Sequence, residues 1–292
     1  LVALLVILCP TLLISSRDFK SVSLLTLFFR LIIVVWWRLL VEDLLTFYLL
    51  FELLAIPMSI IIIGWGAQPE RLAATIYILL YTVIRSLPFI RIILVFNTNV
   101  YFMFNLSVTV IIILPFLVKL PAYILHIWLP KAHVEAPVYG SIILAAVLLK
   151  IGVYGVYRVR IIIPNTVYPL VGGVVLVGAR LCAGLVLAQS DLKALIAYSR
   201  IVHIGAIIGV LLISSRPGLA GSILISLAHG VVRAGLFYAV TLQYSRLANR
   251  SIIRASGLIV LMPNLSIFWA LIILINLRAP PTVNLFREIL IF

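Results

Sequence analysis

The sequence predicts an all-α polytopic membrane protein with about ten membrane spans. Hydrophobic residues make up 65% of the 292 residues and charged residues only 10%, and this composition excludes a water-soluble globular domain. Apolar runs cover almost the whole length, and none alternates polar and apolar residues as a membrane β-strand does. Because only helices and closed barrels satisfy the backbone in lipid, we expect these runs to be helices.

The predicted spans follow one another with short connections. They are residues 1–14, 21–40, 43–63, 72–96, 100–129, 137–157, 166–188, 194–213, 218–243 and 255–292. We treat all of residues 1–292 as one transmembrane domain, since no polar stretch long enough for a soluble domain separates the runs.

Two of these runs are longer than the roughly 20 residues that cross a bilayer. The run 100–129 contains Pro115 and Pro121, and the run 255–292 contains the adjacent pair Pro280 and Pro281. Proline removes a helix hydrogen bond and kinks or breaks the helix. We therefore expect two discontinuous helices, a feature of transporters that are built from inverted repeats.

Loop charges predict the orientation of the chain in the membrane. One set of loops carries eight basic residues: Arg17, Lys20, Arg71, Lys131, Lys193, Arg246, Arg250 and Arg254. The opposite set carries four: Arg38, Arg158, Arg160 and Arg216. The positive-inside rule places the first set in the cytoplasm or the mitochondrial matrix. The net charge of +14 is scattered through membrane segments rather than gathered in a patch, so we expect no nucleic-acid partner.

Six ionisable side chains lie near the middle of six separate apolar runs. They are Glu52, Lys119, Lys150, His203, His229 and Glu288. Glu52, for example, follows Asp43 by about 14 Å along a helix that rises 1.5 Å per residue. A charge at mid-bilayer costs roughly 2.5–3.5 kcal/mol on insertion scales. Meeting that cost six times predicts a path for charge, with protons as the cargo.

The residue types fit proton transfer. Burial favours the neutral amine of a lysine, while a nearby carboxylate favours its ammonium. If Glu52 approaches and leaves Lys119, the lysine alternately holds and releases a proton. Histidine exchanges protons near neutral pH and suits an intermediate role. The alternative is that His203 and His229 only pack against their neighbours, which is the commoner role of a lone buried histidine. A metal site is not expected, because the histidines show no close ligand spacing.

Four stretches carry a family resemblance. LVKLPAYILHIWLPKAHVEAPVYGSIILAAVLLKIGVYG occupies residues 117–155, and DLLTFYLLFELLAIPMSIIIIGWGAQPERLAATIYILLYT occupies 43–82. QSDLKALIAYSRIVHIG occupies 189–205, and INLRAPPTVNLFREI occupies 275–289. In this order they resemble the antiporter-type subunit 4 family of respiratory NADH:ubiquinone oxidoreductase (complex I). The LPKAHVEAP motif at 129–137 is the most specific of them.

The resemblance implies an antiporter-like fold with two inverted five-helix repeats and two broken helices. Residues 21–157 would form the first repeat, and residues 166–292 an incomplete second repeat, with the start of the subunit and its last two helices outside this chain. It also implies that Glu52 pairs with Lys119 on the first broken helix, and that Lys150 connects this pair to the central polar axis. His203 and His229 would continue that axis toward Glu288 on the second broken helix. For Lys193 a role in the pathway and a simple loop charge stay open, whereas Lys131, His133 and Glu135 are expected to fix a loop and start a helix.

The implied function is proton translocation coupled to quinone reduction elsewhere in complex I. The chain would thus be a subunit of an enzyme, NADH:ubiquinone reductase. It would have no redox centre of its own. FMN, iron–sulfur clusters, NADH and ubiquinone would be used by the complex, and the chain itself would bind none of them. The expected partners are other complex I membrane subunits, including homologous antiporter-like subunits, and the lipid bilayer. The expected location is the mitochondrial inner membrane, with a bacterial plasma membrane or a plastid membrane as alternatives.

Two alternative functions stay open. They are a subunit of a multisubunit Na⁺/H⁺ antiporter and a non-pumping structural subunit.

The sequence departs from the family pattern in one respect. Arginine stands where the pattern has small or hydroxyl residues, at Arg85, Arg200, Arg233 and Arg287. Isoleucine also stands where the family often has methionine, and the chain has only three Met. In several animal mitochondria AGA and AGG specify Ser (or Gly), and AUA specifies Met. We hypothesise that some of these residues differ in the translated protein; the alternative is a divergent subunit with genuine extra cations.

Overall fold

In the part of the chain that it describes, the computed structural model consists of helices joined by turns and loops, with one isolated bridge between Asp191 and Ser251. The described residues are 22–66, 69–98, 106–160, 168–213, 216–247, 249–253, 257–277, 279–280 and 285. The predicted span at 1–14, Arg254, Arg287 and Glu288 lie outside them.

The helices follow the predicted runs closely. They are α1 (Val22–Leu40), α2 (Leu44–Leu53), α3 (Ala55–Trp65), α4 (Arg71–Leu79), α5 (Arg85–Thr98), α6 (Leu106–Lys119), α7 (Trp128–Glu135), α8 (Val138–Ile143), α9 (Leu149–Arg160), α10 (Tyr168–Leu187), α11 (Leu192–Ile213), α12 (Arg216–Leu247), α13 (Leu258–Leu261) and α14 (Pro263–Asn276). A π-helical turn joins α4 to α5 at Leu80–Ile84 and another joins α8 to α9 at Leu144–Leu148.

Six helical stretches of the described part are long and apolar enough to cross a membrane. They are Leu44–Trp65, Arg71–Val95, Val138–Arg160, Pro169–Leu187, Leu192–Leu212 and Leu219–Leu247. This confirms an all-α polytopic membrane protein. The full count of about ten spans stays a prediction.

The first discontinuous helix has the predicted form. Helix α6 ends at Lys119, residues 120–127 form turns, and α7 begins at Trp128. Pro121 lies in the break, whereas Pro115 is accommodated inside α6. The break frees backbone carbonyls, and the indole Nε1 of Trp128 donates a hydrogen bond of 3.0 Å to the carbonyl of Val118. A buried polar group left without a partner is costly, so this bond holds the break in a defined shape.

The second predicted break is only partly described. Helix α14 ends at Asn276, four residues before Pro280, which lies in a turn. Pro281 and most of the residues after it lie outside the described part of the chain. A further, unpredicted interruption at Met262 separates α13 from α14.

Glycines bring the helix of Lys150 close to that of Lys119. Helix α9 packs against α6, and a Cβ added at Gly152 would stand 2.8 Å from Leu120 Cγ. A Cβ at Gly155 would overlap the ring of Phe116. Phe116 is itself fully buried among Phe47, Phe51 and Phe89. The absence of side chains at the two glycines therefore sets the spacing between these two helices.

Two side chains that the sequence placed in loops are buried inside the helical assembly. Arg38, expected in a loop, lies in the last turn of α1 and is 1% exposed. Lys193, for which a loop charge was one of two interpretations, lies in the first turn of α11 and is buried. The expectation for Arg38 is wrong because α1 continues to Leu40 and turns the guanidinium inward onto the rings of Phe47 and Phe51.

We predict that Gly155→Ala destabilises the chain. The added methyl would press on Phe116, and overpacking of this kind costs about 1–3 kcal/mol. Gly173→Ala is the matched control, because a Cβ there meets nothing within 4 Å and gains helix propensity. Heat-induced loss of the chain from the solubilised complex measures both. Equal midpoints for the two variants would contradict the close packing of α9 on α6.

Candidate functional site

The structure brings Glu52 and Lys119 together inside the membrane domain. Lys119 Nζ lies 3.3 Å from Glu52 Oε1, and the two side chains are 12% and 18% exposed. Lys119 is the last residue of α6, so the break in that helix begins directly at the ion pair. Its ammonium also donates to the carbonyl of Phe51 and lies 3.6 Å from the centre of the Phe51 ring.

A third charge, Arg38, accompanies this pair and was missed from the sequence. Its guanidinium carbon lies 4.3 Å from the ring centre of Phe47 and 4.5 Å from that of Phe51. Its Nη2 donates a 3.3 Å hydrogen bond to the carbonyl of Ile151, the neighbour of Lys150. The carboxylate of Glu52 attracts Arg38, and Arg38 in turn repels the ammonium of Lys119. The available signal was the position of Arg38 within the apolar run 21–40.

A small cavity of about 40 Å³ opens beside the ammonium of Lys119. Its lining includes Thr82 from the first π-helical turn, together with Leu144 and Leu148 from the second. A cavity of this size can hold water, although its walls are mainly apolar. It extends from Lys119 to the turn that immediately precedes Lys150. Both π-helical turns thus lie at this site, and π-bulges occur frequently at functional sites.

Lys150 lies at the start of α9 and is 3% exposed. The charges that act on it most strongly are the guanidinium groups of Arg200 on α11 and Arg233 on α12. Both belong to the four arginines that depart from the family pattern. Of the other two, Arg85 is half-buried with its guanidinium 5.2 Å from the Tyr81 ring centre, and Arg287 lies outside the described residues.

The two candidate histidines meet between neighbouring helices. The ring centres of His203 on α11 and His229 on α12 lie 5.3 Å apart. His229 is 7% exposed, and its Nε2 has no hydrogen-bond partner within the described part of the chain. The positive charges of Arg233, Lys150 and Arg200 act on His229. The histidines therefore lie in the same electrostatic environment as Lys150. Glu288, the sixth candidate, lies outside the described residues.

His133 has a more central position than the sequence indicated. It was expected, with Lys131 and Glu135, to fix a loop and start a helix, but all three lie in α7. His133 is fully buried, its ring stacks on Phe237 with centres 4.6 Å apart, and its Nε2 lies 3.0 Å from Arg200 Nη1. The loop assignment is wrong because α7 is a short helix inside the assembly, in contact with α11.

Lys131, Glu135 and Lys193 surround the end of α7. Lys131 is exposed, with its ammonium 3.8 Å from the Tyr77 ring centre. Glu135 is buried near the positive charges of Arg250 and Lys193. Lys193 Nζ donates to the carbonyl of Ala136 at 3.4 Å. Lys193 thus contacts the end of the LPKAHVEAP motif, most of which lies in α7.

The described residues contain no group of three or more His, Cys, Asp or Glu side chains that could hold a metal ion. Cys182 is a buried free cysteine. The polar groups of the site are thus ion-pairing and proton-exchanging side chains: a carboxylate, lysines, histidines and arginines.

Comparison with known proteins identifies the family of the chain. Residues 41–292 match the family described as NADH:quinone oxidoreductase/Mrp antiporter, TM. The chain belongs to this family. NADH-ubiquinone oxidoreductase chain 4 of Artemia franciscana is 41% identical over 277 residues, which are 91% of this chain and 71% of that protein. The same-named protein of Ceratitis capitata is 42% identical over 265 residues, covering 85% of this chain and 58% of that protein.

The chain is shorter than its relatives and covers 57% of the Aedes aegypti protein, to which it is 42% identical. Among solved structures, a chain of respiratory complex I from Thermus thermophilus with bound NADH matches with a TM-score of 0.74 and 26% identity, covering 86% of this chain and 57% of that one. The Mrp complex from Dietzia sp. DQ12-45-1b matches with a TM-score of 0.77 over 87% of this chain and 51% of that one. Its 20% identity shows a common fold alone.

We predict that Trp128→Phe weakens the break that positions Lys119. The substitution removes the donor to the Val118 carbonyl, and leaving a buried acceptor without its partner costs about 1–3 kcal/mol. Trp37→Phe is the matched control, because Trp37 is 61% exposed on α1. The midpoint of thermal unfolding in the solubilised complex should fall for Trp128→Phe and stay unchanged for Trp37→Phe. No difference between the variants would show that the break does not depend on this bond.

Proposed function

We propose that this chain is the proton-translocating subunit 4 of NADH:ubiquinone oxidoreductase in the mitochondrial inner membrane. The observation that carries the proposal is the buried Glu52–Lys119 ion pair at the break of α6. Ionisable groups inside a membrane domain are costly and mark ion paths and proton relays. The similarity to NADH-ubiquinone oxidoreductase chain 4 proteins at about 40% identity supports the assignment to this enzyme.

Lys119 is the proton carrier at the centre of the mechanism. While Glu52 lies beside it, the carboxylate stabilises the ammonium and the proton stays on Nζ. When the two separate, the ammonium loses its counter-ion in a low-dielectric site and gives up the proton. The break of α6 at Lys119 permits such a movement, because the lysine ends a helix rather than lying within one. The glutamate therefore acts as a switch on the lysine.

The proton continues from Lys119 toward Lys150 and the histidines. The cavity beside Lys119 opens toward the π-helical turn Leu144–Leu148, and Lys150 follows this turn. Lys119 and the hydroxyl of Thr82 are polar groups on its lining, so water held there would carry the proton from Lys119 toward Lys150. His203 and His229, with their rings 5.3 Å apart, then carry the proton between α11 and α12. Glu288 is the exit group, by its place in the family motif.

Electron transfer takes place in other subunits of the complex. FMN, the iron–sulfur clusters, NADH and ubiquinone belong to those subunits, and this chain contributes proton translocation across the membrane. Its partners are the neighbouring membrane subunits, through which the energy of quinone reduction reaches the Glu52–Lys119 pair. The two repeats at 21–157 and 166–292 place one broken helix in each half of the chain.

A subunit of a multisubunit Na⁺/H⁺ antiporter is the second candidate, because the Mrp complex shares this fold. The greater identity to the chain 4 proteins favours complex I. Native separation of solubilised membranes followed by mass spectrometry distinguishes the two. We expect the chain to migrate with a large assembly that oxidises NADH. Migration in a complex without NADH oxidation would contradict the assignment.

We predict that Glu52→Gln and Lys119→Met each lower proton pumping by this subunit roughly tenfold or more, the scale of losing a positioned proton-transfer group. Glu70→Gln and Lys131→Met are matched controls, because both residues are exposed. The measurement is the number of protons pumped per NADH oxidised in vesicles that contain the assembled complex.

Unchanged pumping in both Glu52→Gln and Lys119→Met would support the alternative of a structural, non-pumping subunit. The control variants must pump normally, and the amount of assembled complex must be equal in all samples, so that a loss of pumping reports on proton transfer rather than on assembly.

A further inference from the structure

Two guanidinium groups are fully enclosed beside Lys150. Arg200 is 0% exposed and Arg233 is 1% exposed, which places them among the largest fully buried side chains of the described residues. Each acts on Lys150 and on His229 with its positive charge. The centre of the polar axis thus holds two permanent cations in addition to its titratable groups.

Neither guanidinium has a carboxylate within ion-pairing distance among the residues that the structure describes. Arg200 donates to the carbonyls of Leu144 and Ala145 and contacts His133 Nε2. Arg233 donates to the carbonyl of Ile196 and to Ser199 Oγ at 2.7 Å. The Nε of each arginine, and Nη2 of Arg233, have no hydrogen-bond partner in this part of the chain.

The position of the two groups limits what could neutralise them. Because they are enclosed within this chain, a carboxylate of a neighbouring subunit or a lipid phosphate cannot approach them. An uncompensated buried charge costs several kcal/mol. Arg38 shows the contrast, because it is equally buried but is attracted by the carboxylate of Glu52. Arg200 and Arg233 are therefore anomalous even for a membrane protein with a polar axis.

A serine at either position would carry no charge and would therefore avoid the cost of an uncompensated buried charge. Three buried serines of the described helices show how: Ser59 donates to the carbonyl of Ile56 at 2.7 Å, Ser86 to that of Val83 at 2.9 Å, and Ser222 to that of Leu219 at 2.8 Å, each three residues earlier. Positions 200 and 233 lie inside helices α11 and α12, where the same bond to the preceding turn is available. A hydroxyl there needs no counter-ion.

We propose that positions 200 and 233 carry serine in the protein that the mitochondrion makes. AGA and AGG codons are read as serine in several animal mitochondria, and the similar chain 4 proteins include those of the invertebrates Artemia franciscana, Ceratitis capitata and Aedes aegypti. Their burial and the lack of a carboxylate partner among the described residues argue against arginine at these positions, and the codon reading supplies serine. The proposal concerns positions 200 and 233 at the centre of the axis. It does not require that any residue other than arginine stands at positions 38 or 85.

The inference deepens the proposed function, and its consequence for proton transfer rests on that function. Two fixed positive charges would repel a proton that arrives at Lys150 or His229. Serine hydroxyls at positions 200 and 233, next to Ser199, both donate and accept hydrogen bonds. They would leave polar space for water between Lys150 and the histidines. The central axis would then consist of groups that exchange protons, without permanent cations among them.

Peptide mass spectrometry of the chain isolated from its own membranes tests the proposal. Trypsin cleaves after arginine but not after serine, so serine at position 200 leaves residues 194–216 uncut at that site. Fragment masses should give serine at positions 200 and 233. Arginine, or any residue other than serine, at either position would overturn the proposal.

Arg71 and Arg158 provide matched controls within the same chain. Arg71 donates to the carbonyl of Gly66 at 3.1 Å and Arg158 to that of Val41 at 2.8 Å, and neither is fully buried. We expect arginine masses at both. The codons offer a second readout: AGA or AGG at positions 200 and 233 agrees with the proposal, and a CGN codon at either contradicts it. Neither readout depends on pumping, so failure here is distinguishable from failure of the proposed function.

Discussion

The ion pair between Lys119 and Glu52 is the constraint on which the rest of the structure depends. Two charges 3.3 Å apart attract each other strongly where water is excluded, but each has lost its hydration. The pair therefore remains favourable only while its geometry is maintained. The surrounding helices form the framework that holds a lysine at the end of one helix against a glutamate near the middle of the span Leu44–Trp65.

Three features of the packing serve this framework. The break after Lys119 releases backbone carbonyls, and Trp128 binds one of them at Val118. Gly152 and Gly155 allow the helix of Lys150 to approach Leu120 and Phe116. Two π-helical turns, Leu80–Ile84 and Leu144–Leu148, contribute residues to the cavity beside Lys119. Regular helices throughout would leave neither the break nor this cavity.

Much of the fold could be predicted, because in lipid the backbone has few alternatives to a helix. Proline at 121 predicted the break, and the depth of Glu52 and Lys119 within apolar runs predicted that both would be buried. The family motif predicted that they meet. These inferences depend on distances along a single helix, which the sequence contains directly.

The lateral arrangement of the helices could not be predicted in the same way. A helix that is apolar on every face gives no signal for which face points inward, so the sequence did not indicate that Arg38 turns onto Phe47 and Phe51. His133 lay between Pro130 and Pro137 in a motif that resembled a loop, yet tertiary packing stacks it on Phe237. Its contact with Arg200 joins residues 67 positions apart, a separation over which local periodicity carries no information.

The most direct test of this account is whether Glu52 and Lys119 act as a unit. The measurement is proton pumping per NADH oxidised for Glu52→Gln, for Lys119→Met and for the double variant, in assembled complexes at equal amounts. Residues that work through one interaction are strongly non-additive. The account predicts that the double variant pumps no worse than the poorer single variant. Losses that multiply in the double variant would show two independent groups and would contradict the switch.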